Sequence, residues 1–476
     1  MQVDFSADFR MLCGDEVLST AKTLPVENPA NLSIVGHAPC ANQADLDHVI
    51  SAAQAAFPQW AKTSIDKRRA MIVALADRVL DHVAPLMHLL TAEQGKPLKD
   101  AEREVRGVAA WLKGAASLDL PVTVNEDSEV RYSETRHVPL GVVAAIAPWN
   151  YPLLLASFKL GPALLAGNCV VLKPSPFTPL SSLKVAELAA DIFPPGVLNV
   201  VSGEEDLGPW LTAHAGIDKI SFTGSTPVGK AIMGTAANRL TRLTLELGGN
   251  DPAFVMPDVD VSTIAEKLFG AALTNAGQIC LASKRIYIHA DVYDDVRDGL
   301  ADYARSVQIG DGAHPNTQMG PINNKRQYDR VRALINDATT QGYRVIECGQ
   351  VPDQGYFLPI ILIDNPPENS RIVQEEQFGP IVPLIRMTDM ENAVARANAS
   401  DYGLGASIWG RDEDRAWALA ARLDAGTVCV NEARHLSPLT SFAGFKQSGF
   451  GVENGLNGLL EYTVPKTMMR PGRLGR

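Results

Sequence analysis

The feature that most constrains this chain is a series of short apolar runs, "GVVAAIA", "NCVVLKP", "GVLNVVSG" and "KISFTGS", each bounded by Gly or Pro. Helical stretches such as "PLLLASFKLGPALLAG" and "PLSSLKVAELAADIF" separate them. Strands that are apolar on both faces and alternate with helices belong to a parallel sheet covered on both sides. The alternation recurs after "LTLELGGNDPAFVMPD", from "VSTIAEKLFGAALTNAGQIC" to "DEDRAWALAARLDAGTVCVN". Two α/β units are therefore expected, divided near Gly248–Gly249. Residues 44–118 carry apolar residues at three- and four-residue spacing and read as helices. Residues 121–139, "PVTVNEDSEVRYSETRHVP", switch to short alternating segments and read as a projecting hairpin.

With 476 residues, 46% hydrophobic and 20% charged, the chain can build two or three domains with sizeable cores. Its 43 basic and 54 acidic residues leave a net charge of −11, which argues against nucleic acid or an anionic membrane as partner. The longest apolar runs, such as "LGVVAAIAPW", reach about half the length needed to span a bilayer. The opening "MQVDFSADFR" lacks the basic and apolar halves of a signal peptide, so a cytoplasmic protein is expected. Six cysteines are scattered without a C-x-x-C pair, and nine histidines show no metal-binding spacing. No metal site is expected.

Five stretches could carry chemistry, and each has an ordinary reading beside the functional one. Cys280 in "TNAGQICLASKRIYIH" is a small buried hydrophobe or a nucleophile. "KISFTGSTPVGKAIM" sets Gly224 and Gly229 between strand and helix, where free N–H groups suit a pyrophosphate, or where there is only a tight turn. Lys173 in "NCVVLKPSPFTPL" stands at the carboxyl edge where such sheets bind ligands, or is a solvated loop lysine. Glu246 in "LTLELGGND" is a general base whose pKa is raised by apolar surroundings, or lies on the solvent face of an edge strand. Asn150 in "AIAPWNYPLLL" caps the following helix or offers its amide to an oxyanion.

Taken in order, "APWN", "LKPS", "FTGSTPVG", "LELGG", "GQIC", "EEQFGP" and "SGFGVENG" together resemble the aldehyde dehydrogenase superfamily over residues 22–470. The resemblance implies two Rossmann-like parallel-sheet α/β domains plus a small β oligomerisation arm. It assigns residues 1–118 and 141–248 to NAD(P) binding, 249–448 to catalysis, and 119–140 with 460–476 to the arm. It implies that the Cys280 thiolate attacks an aldehyde carbonyl to form a thiohemiacetal, while Asn150 and the Cys280 N–H hold the oxyanion. Hydride then leaves for the nicotinamide, and Glu246 activates the water that hydrolyses the resulting thioester. Lys159 and Glu453 match a pair that relays protons away from this base. The cofactor implied is NAD, with NADP as the alternative. Glu376 and Phe378 match contacts to the nicotinamide ribose, Ser225 with Gly224 and Gly229 the pyrophosphate site, and Lys173 the adenosine ribose. Ile146, Pro148, Trp149 and Leu247 complete the cleft, and Glu93 in "EQGKP" takes a structural role.

Three departures from the family pattern bear on specificity. Pro176 stands where NAD-preferring members often carry glutamate, and Ser175 could hydrogen-bond a 2′-phosphate. "SFAG" at 441–444 replaces "PFGG", a packing variation near the pocket mouth. "NEARHLSPLTSF" introduces Arg434 and His435. The matched pocket wall, Tyr151, Leu155, Phe158, Ile279, Leu281, Leu436 and Phe442, is mostly apolar and suits a medium aliphatic or aromatic aldehyde. Arg434 either anchors the far carboxylate of a dicarboxylic acid semialdehyde, or is a rim arginine, solvated or paired with Glu432. A CoA-acylating enzyme is a close alternative, although that class typically lacks the glutamate matched by Glu246. A cysteine hydrolase would want a histidine partner, which the motifs do not supply. A non-enzymatic use of the fold conflicts with the intact Cys280, Glu246 and Asn150 set. A homodimer or homotetramer is expected, built through 121–139 and the strand near "EYTVPKTMMR", because open strand edges need partners.

Overall fold

The computed structural model describes every residue except 1, 2, 7, 15 and 474–476. The continuous apolar runs become central strands such as "VVAAI" and "CVVLK", buried along their whole length. They lie in an eight-stranded sheet. Its order is β2 (Glu16–Leu18), β1 (Met11–Cys13), β9 (Leu198–Val200), β8 (Cys169–Lys173), β7 (Val142–Ile146), β10 (Lys219–Thr223), β11 (Arg242–Glu246) and β21 (Gly449–Phe450). The five central strands are parallel. The sheet is mixed, however, because β1 and β21 join it antiparallel. β21 reaches β11 through Gly449, where φ is +128° and a Cβ would lie 1.9 Å from the Leu245 carbonyl oxygen.

Helices α1 (Gln43–Trp60), α2 (Ile65–Asp81), α3 (Val83–Gln94) and α4 (Leu98–Ala116) precede the central strands. α1 starts in a reciprocal cap between Asn42 and Asp45, which satisfies two backbone donors at once. α5 (Pro152–Ala166), α6 (Leu180–Ala189), α7 (Leu207–Ala213) and α8 (Thr226–Ala237) alternate with the strands. From β7 the chain passes through α5 to β8 and on to β9, then returns to the other flank of β7 as β10. Such a reversal opens a crevice at the carboxyl ends of the strands, where sheets of this kind bind ligands. Ile146 pairs with Lys173 there, and Thr223 with Glu246.

A seven-stranded second sheet has the order β14 (Arg344–Cys348), β15 (Ile360–Asp364), β16 (Ile381–Met387), β13 (Ser283–His289), β12 (Asp251–Val255), β18 (Gly405–Trp409) and β19 (Thr427–Val430). Only β14 breaks its parallel run. Each large sheet has its own apolar core, and a smaller apolar cluster surrounds Cys280.

The hairpin read at 121–139 forms β5 (Val122–Asp127) and β6 (Arg131–Pro139). β22 (Thr463–Pro471) pairs along the full length of β6 to make a three-stranded sheet. Residues 474–476 of the expected arm fall outside the described residues. Two antiparallel pairs complete the sheets: the hairpin of β3 (Thr23–Glu27) with β4 (Ile34–Pro39), and β17 (Tyr402–Gly403) with the sequence-distant β20 (Phe445–Lys446). Among the described residues no helix is long and apolar enough to cross a membrane.

Candidate active site

α9 (Val261–Leu273) leads into a turn where Asn275, Ala276 and Gly277 all hold φ between 53° and 72°. Left-handed non-glycine residues are costly and persist only where their surroundings impose them. Here a Cβ on Gly277 would lie 2.2 Å from the Gly379 carbonyl oxygen, so only glycine fits. The buried Gln278 amide donates to the carbonyls of Asn275 (2.8 Å) and Pro321 (3.3 Å) and accepts from Asn323 N (2.9 Å). The turn delivers Cys280 into a cluster of Leu155, Phe158, Ile279, Leu281 and Phe442, with Tyr151 and Leu436 packed against it. Burial pushes the Cys280 thiol up to about 12, against the pull of the Lys284 ammonium. Lys284 Nζ donates to the carbonyls of Cys280 (2.7 Å) and Gly249 (2.9 Å) and to Glu376 Oε1 (3.0 Å).

Asn150 is not a helix cap. The first free N–H groups of α5, on Leu153 and Leu154, donate instead to Glu104 Oε1 at 3.0 and 3.2 Å. Glu104 is paired with Lys96 in full burial, and Lys96 Nζ also donates to the Asn150 carbonyl at 2.8 Å. The Asn150 amide donates to the Gln278 carbonyl at 2.9 Å. One of its two N–H groups is therefore engaged, two residues before Cys280, and the other makes no hydrogen bond among the described residues.

Glu246 does not face solvent either: β11 lies between β10 and β21, and the side chain is buried. Neither carboxylate oxygen has a hydrogen-bond partner among the described residues. Burial holds its pKa well above the ordinary carboxylate range, the Glu453 carboxylate adds to this, and Lys159 opposes it. Lys159 Nζ contacts both Glu453 and Thr223 Oγ1, so the two residues matched to a relay do meet.

Lys173 is 5% exposed rather than solvated. Its Nζ donates to the neighbouring Pro174 carbonyl at 3.3 Å. Burial brings its pKa down to about 8, with Glu205 opposing. The Ser175 hydroxyl oxygen accepts from Phe177 N at 3.3 Å, and Pro176 is half-buried. Ser225 precedes α8 without a side-chain cap bond, leaving the helix start open. A Cβ on Gly229 would lie 2.5 Å from Leu247, so this glycine lets α8 settle onto the strand end. Glu376 also accepts from Gly249 N at 3.1 Å. Trp149 meets the Phe378 ring edge-on at 5.3 Å. Ile146 closes β7, with Pro148 just beyond. A buried lysine with spare donors, an uncapped helix start and a carboxylate at the far end suit a dinucleotide.

Arg434 is half-buried rather than free in solvent, and it is not paired with Glu432. Its Nη2 donates to the Gly270 carbonyl (2.6 Å) and Thr274 Oγ1 (3.2 Å), while Glu432 faces His435 at 3.6 Å. Glu93 caps α6, accepting from Leu180 N (2.7 Å) and Ser181 N (3.0 Å). Cys13, Cys40, Cys169 and Cys348 are buried and Cys429 is half-buried. Lys284, Gln278 and the Lys96–Glu104 pair escaped the sequence reading. The one signal for Lys284 was a charged dipeptide inside the apolar strand "SKRIYIH". Among the described residues no group of three or more His, Cys, Asp or Glu could hold a metal ion.

The aldehyde dehydrogenase family model matches residues 17–468. The aldehyde dehydrogenase LUC3 of a Fusarium species is 42% identical over 93% of this chain and 94% of its own. A solved aldehyde dehydrogenase of Bacillus cereus in complex with NAD+ superposes with TM-score 0.93 at 34% identity, covering 98% of this chain and 97% of its own. An NADP-dependent enzyme of E. coli superposes with TM-score 0.94 at 32% identity over 98% of each chain.

Proposed function

The chain belongs to the aldehyde dehydrogenase family, and from that footing we propose that it oxidises an aldehyde to the carboxylic acid by a hydrolytic, cysteine-based route. What supports this reading is that the Asn150 amide bonds the carbonyl of Gln278, two residues before Cys280, and that the partner-free Glu246 carboxylate lies in electrostatic reach of the Cys280 thiol. Burial keeps Cys280 a thiol at rest, so attack on the carbonyl requires loss of its proton. The Lys284 ammonium favours that loss, and Glu246, in electrostatic reach of the thiol, is kept for the later hydrolysis. The free Asn150 N–H and the Cys280 backbone N–H stabilise the oxyanion of the thiohemiacetal. Bound NAD+ supplies the hydride acceptor that no side chain can provide. Glu246 then takes a proton from the water that releases the acid from the Cys280 thioester. A CoA-acylating enzyme has no use for such a base, which favours water as the acyl acceptor.

In this reading the first sheet with its helices binds the cofactor and the second sheet presents the cysteine. Lys173, Ser225 and Glu376 hold the adenosine ribose, pyrophosphate and nicotinamide ribose. NAD+ is the preferred cofactor, with measurable NADP+ use, because Pro176 places neither a repelling carboxylate nor an attracting cation at the ribose. The assembly is a cytoplasmic homodimer or homotetramer. An aldehyde panel assayed with NAD+ and NADP+ side by side, with and without CoA, tests the reading. Oxidation with both cofactors, unchanged by CoA, is expected. No reduction of either cofactor contradicts the function. A preference above about a hundredfold, roughly 2.7 kcal/mol, contradicts the account of Pro176.

A further inference from the structure

Arg434 is a partly buried cation without an anion. No carboxylate of the described residues lies within ion-pair distance, and its acceptors are a backbone carbonyl and a threonine hydroxyl. Nε is buried with no partner, and Nη1 makes no hydrogen bond among the described residues. Its backbone is left-handed at φ +58°, a conformation that non-glycine residues seldom adopt. Asp100 attracts the guanidinium only from beyond ion-pair distance, and the buried Nε, left without a partner, is costly unless a ligand completes it.

Its position says which ligand. Gly270 and Thr274, which hold Nη2, lie at the end of the helix whose following turn delivers Cys280. Tyr151 packs on the apolar cluster around Cys280, and its hydroxyl makes no hydrogen bond among the described residues. Leu436, two residues along from Arg434, packs on the same cluster, and the Tyr151 hydroxyl and the guanidinium are in electrostatic reach of each other. Lys96 Nζ lies 3.6 Å from the centroid of the same ring and fixes it in place.

We propose that Arg434 and the Tyr151 hydroxyl receive a carboxylate at the far end of the aldehyde, so that the substrates are semialdehydes of dicarboxylic acids. The proposal rests on the aldehyde-oxidising function. One guanidinium and one phenol match the single charge of a carboxylate. A phosphate ester would want more donors than this end of the pocket offers.

The test compares 4-oxobutanoate, 5-oxopentanoate and 6-oxohexanoate with butanal, pentanal and hexanal, using the full-length enzyme and NAD+. At one chain length or more, the acid is expected to be preferred about tenfold or more in kcat/KM. Arg434→Leu should lower that acid-to-neutral ratio about tenfold, mainly through KM, and Arg434→Lys should restore part of it. Glutarate or adipate should raise the thermal midpoint of the native enzyme and not that of Arg434→Leu. A native enzyme that favours the neutral aldehyde at every length overturns the proposal, whether or not the leucine variant folds. So does an unchanged ratio in a folded Arg434→Leu. If neither series reduces NAD+, the oxidising function itself fails, which is a separate result.

Discussion

Lys159 and Glu453 form an ion pair from which solvent is wholly excluded. The same ammonium donates to Thr223 Oγ1 at 2.7 Å, and Thr223 is the register partner of Glu246. One positive charge therefore serves two buried carboxylates. Lys159→Met leaves both without a counter-charge and is expected to cost about 3–5 kcal/mol. Lys159→Met/Glu453→Gln should cost less, because no charged orphan of the pair remains. Urea unfolding midpoints check this, and a double variant less stable than Lys159→Met contradicts it.

The raised pKa of Glu246 fixes the direction of a pH effect. A base acts only when deprotonated, so hydrolysis should fall as pH drops through that raised value. Under conditions where thioester hydrolysis limits turnover, the acid limb of kcat should lie well above the ordinary glutamate value of about 4.3. Lys159→Met removes the charge that lowers this pKa and should move the limb to higher pH. A limb in the ordinary carboxylate range removes Glu246 from the role of base.

Lys284 is the charge that draws the Cys280 thiol down, and it also holds Glu376. Lys284→Met should shift the pH dependence of Cys280 alkylation by iodoacetamide to higher pH and slow the reaction at pH 8. Peptide mass spectrometry can follow Cys280 alone. An unchanged alkylation profile shows that the ammonium acts only on Glu376.

The three-stranded sheet of β22, β6 and β5 exposes Val122, Val124, Val130 and Met469. Exposed apolar side chains beside open strand edges call for a partner. Light scattering at micromolar concentration should give a dimer or tetramer, and Val124→Lys/Met469→Lys should shift it toward monomer. A native monomer refutes the assembly.

The central strands were legible because a strand buried on both faces has to be apolar throughout, as "VVAAI" and "CVVLK" are. The antiparallel β21 was not legible: two residues from far downstream carry no periodic signal, and only the close approach at Gly449 makes room for them. At the proposed site, Cys280, Glu246 and Asn150 stand out in the sequence through ordered motifs. The charges that tune them were not, because Lys284, Lys96 and Glu104 act through space across segments distant in sequence. Arg434 was visible as an oddity, but its anchors at Gly270 and Thr274 depend on how the end of α9 packs. Side-chain pairing of that kind is a tertiary property, and local spacing does not encode it.

In the proposed function, Cys280 carries the substrate as a thioester that Glu246 helps to hydrolyse. Glu246→Gln mixed with hexanal and NAD+ tests it most directly, with intact-protein mass and cofactor absorbance read together. A burst of about one reduced cofactor per site is expected, with a hexanoyl adduct located on Cys280 that Cys280→Ala abolishes. Steady turnover in Glu246→Gln without a burst or an adduct on Cys280 would contradict it.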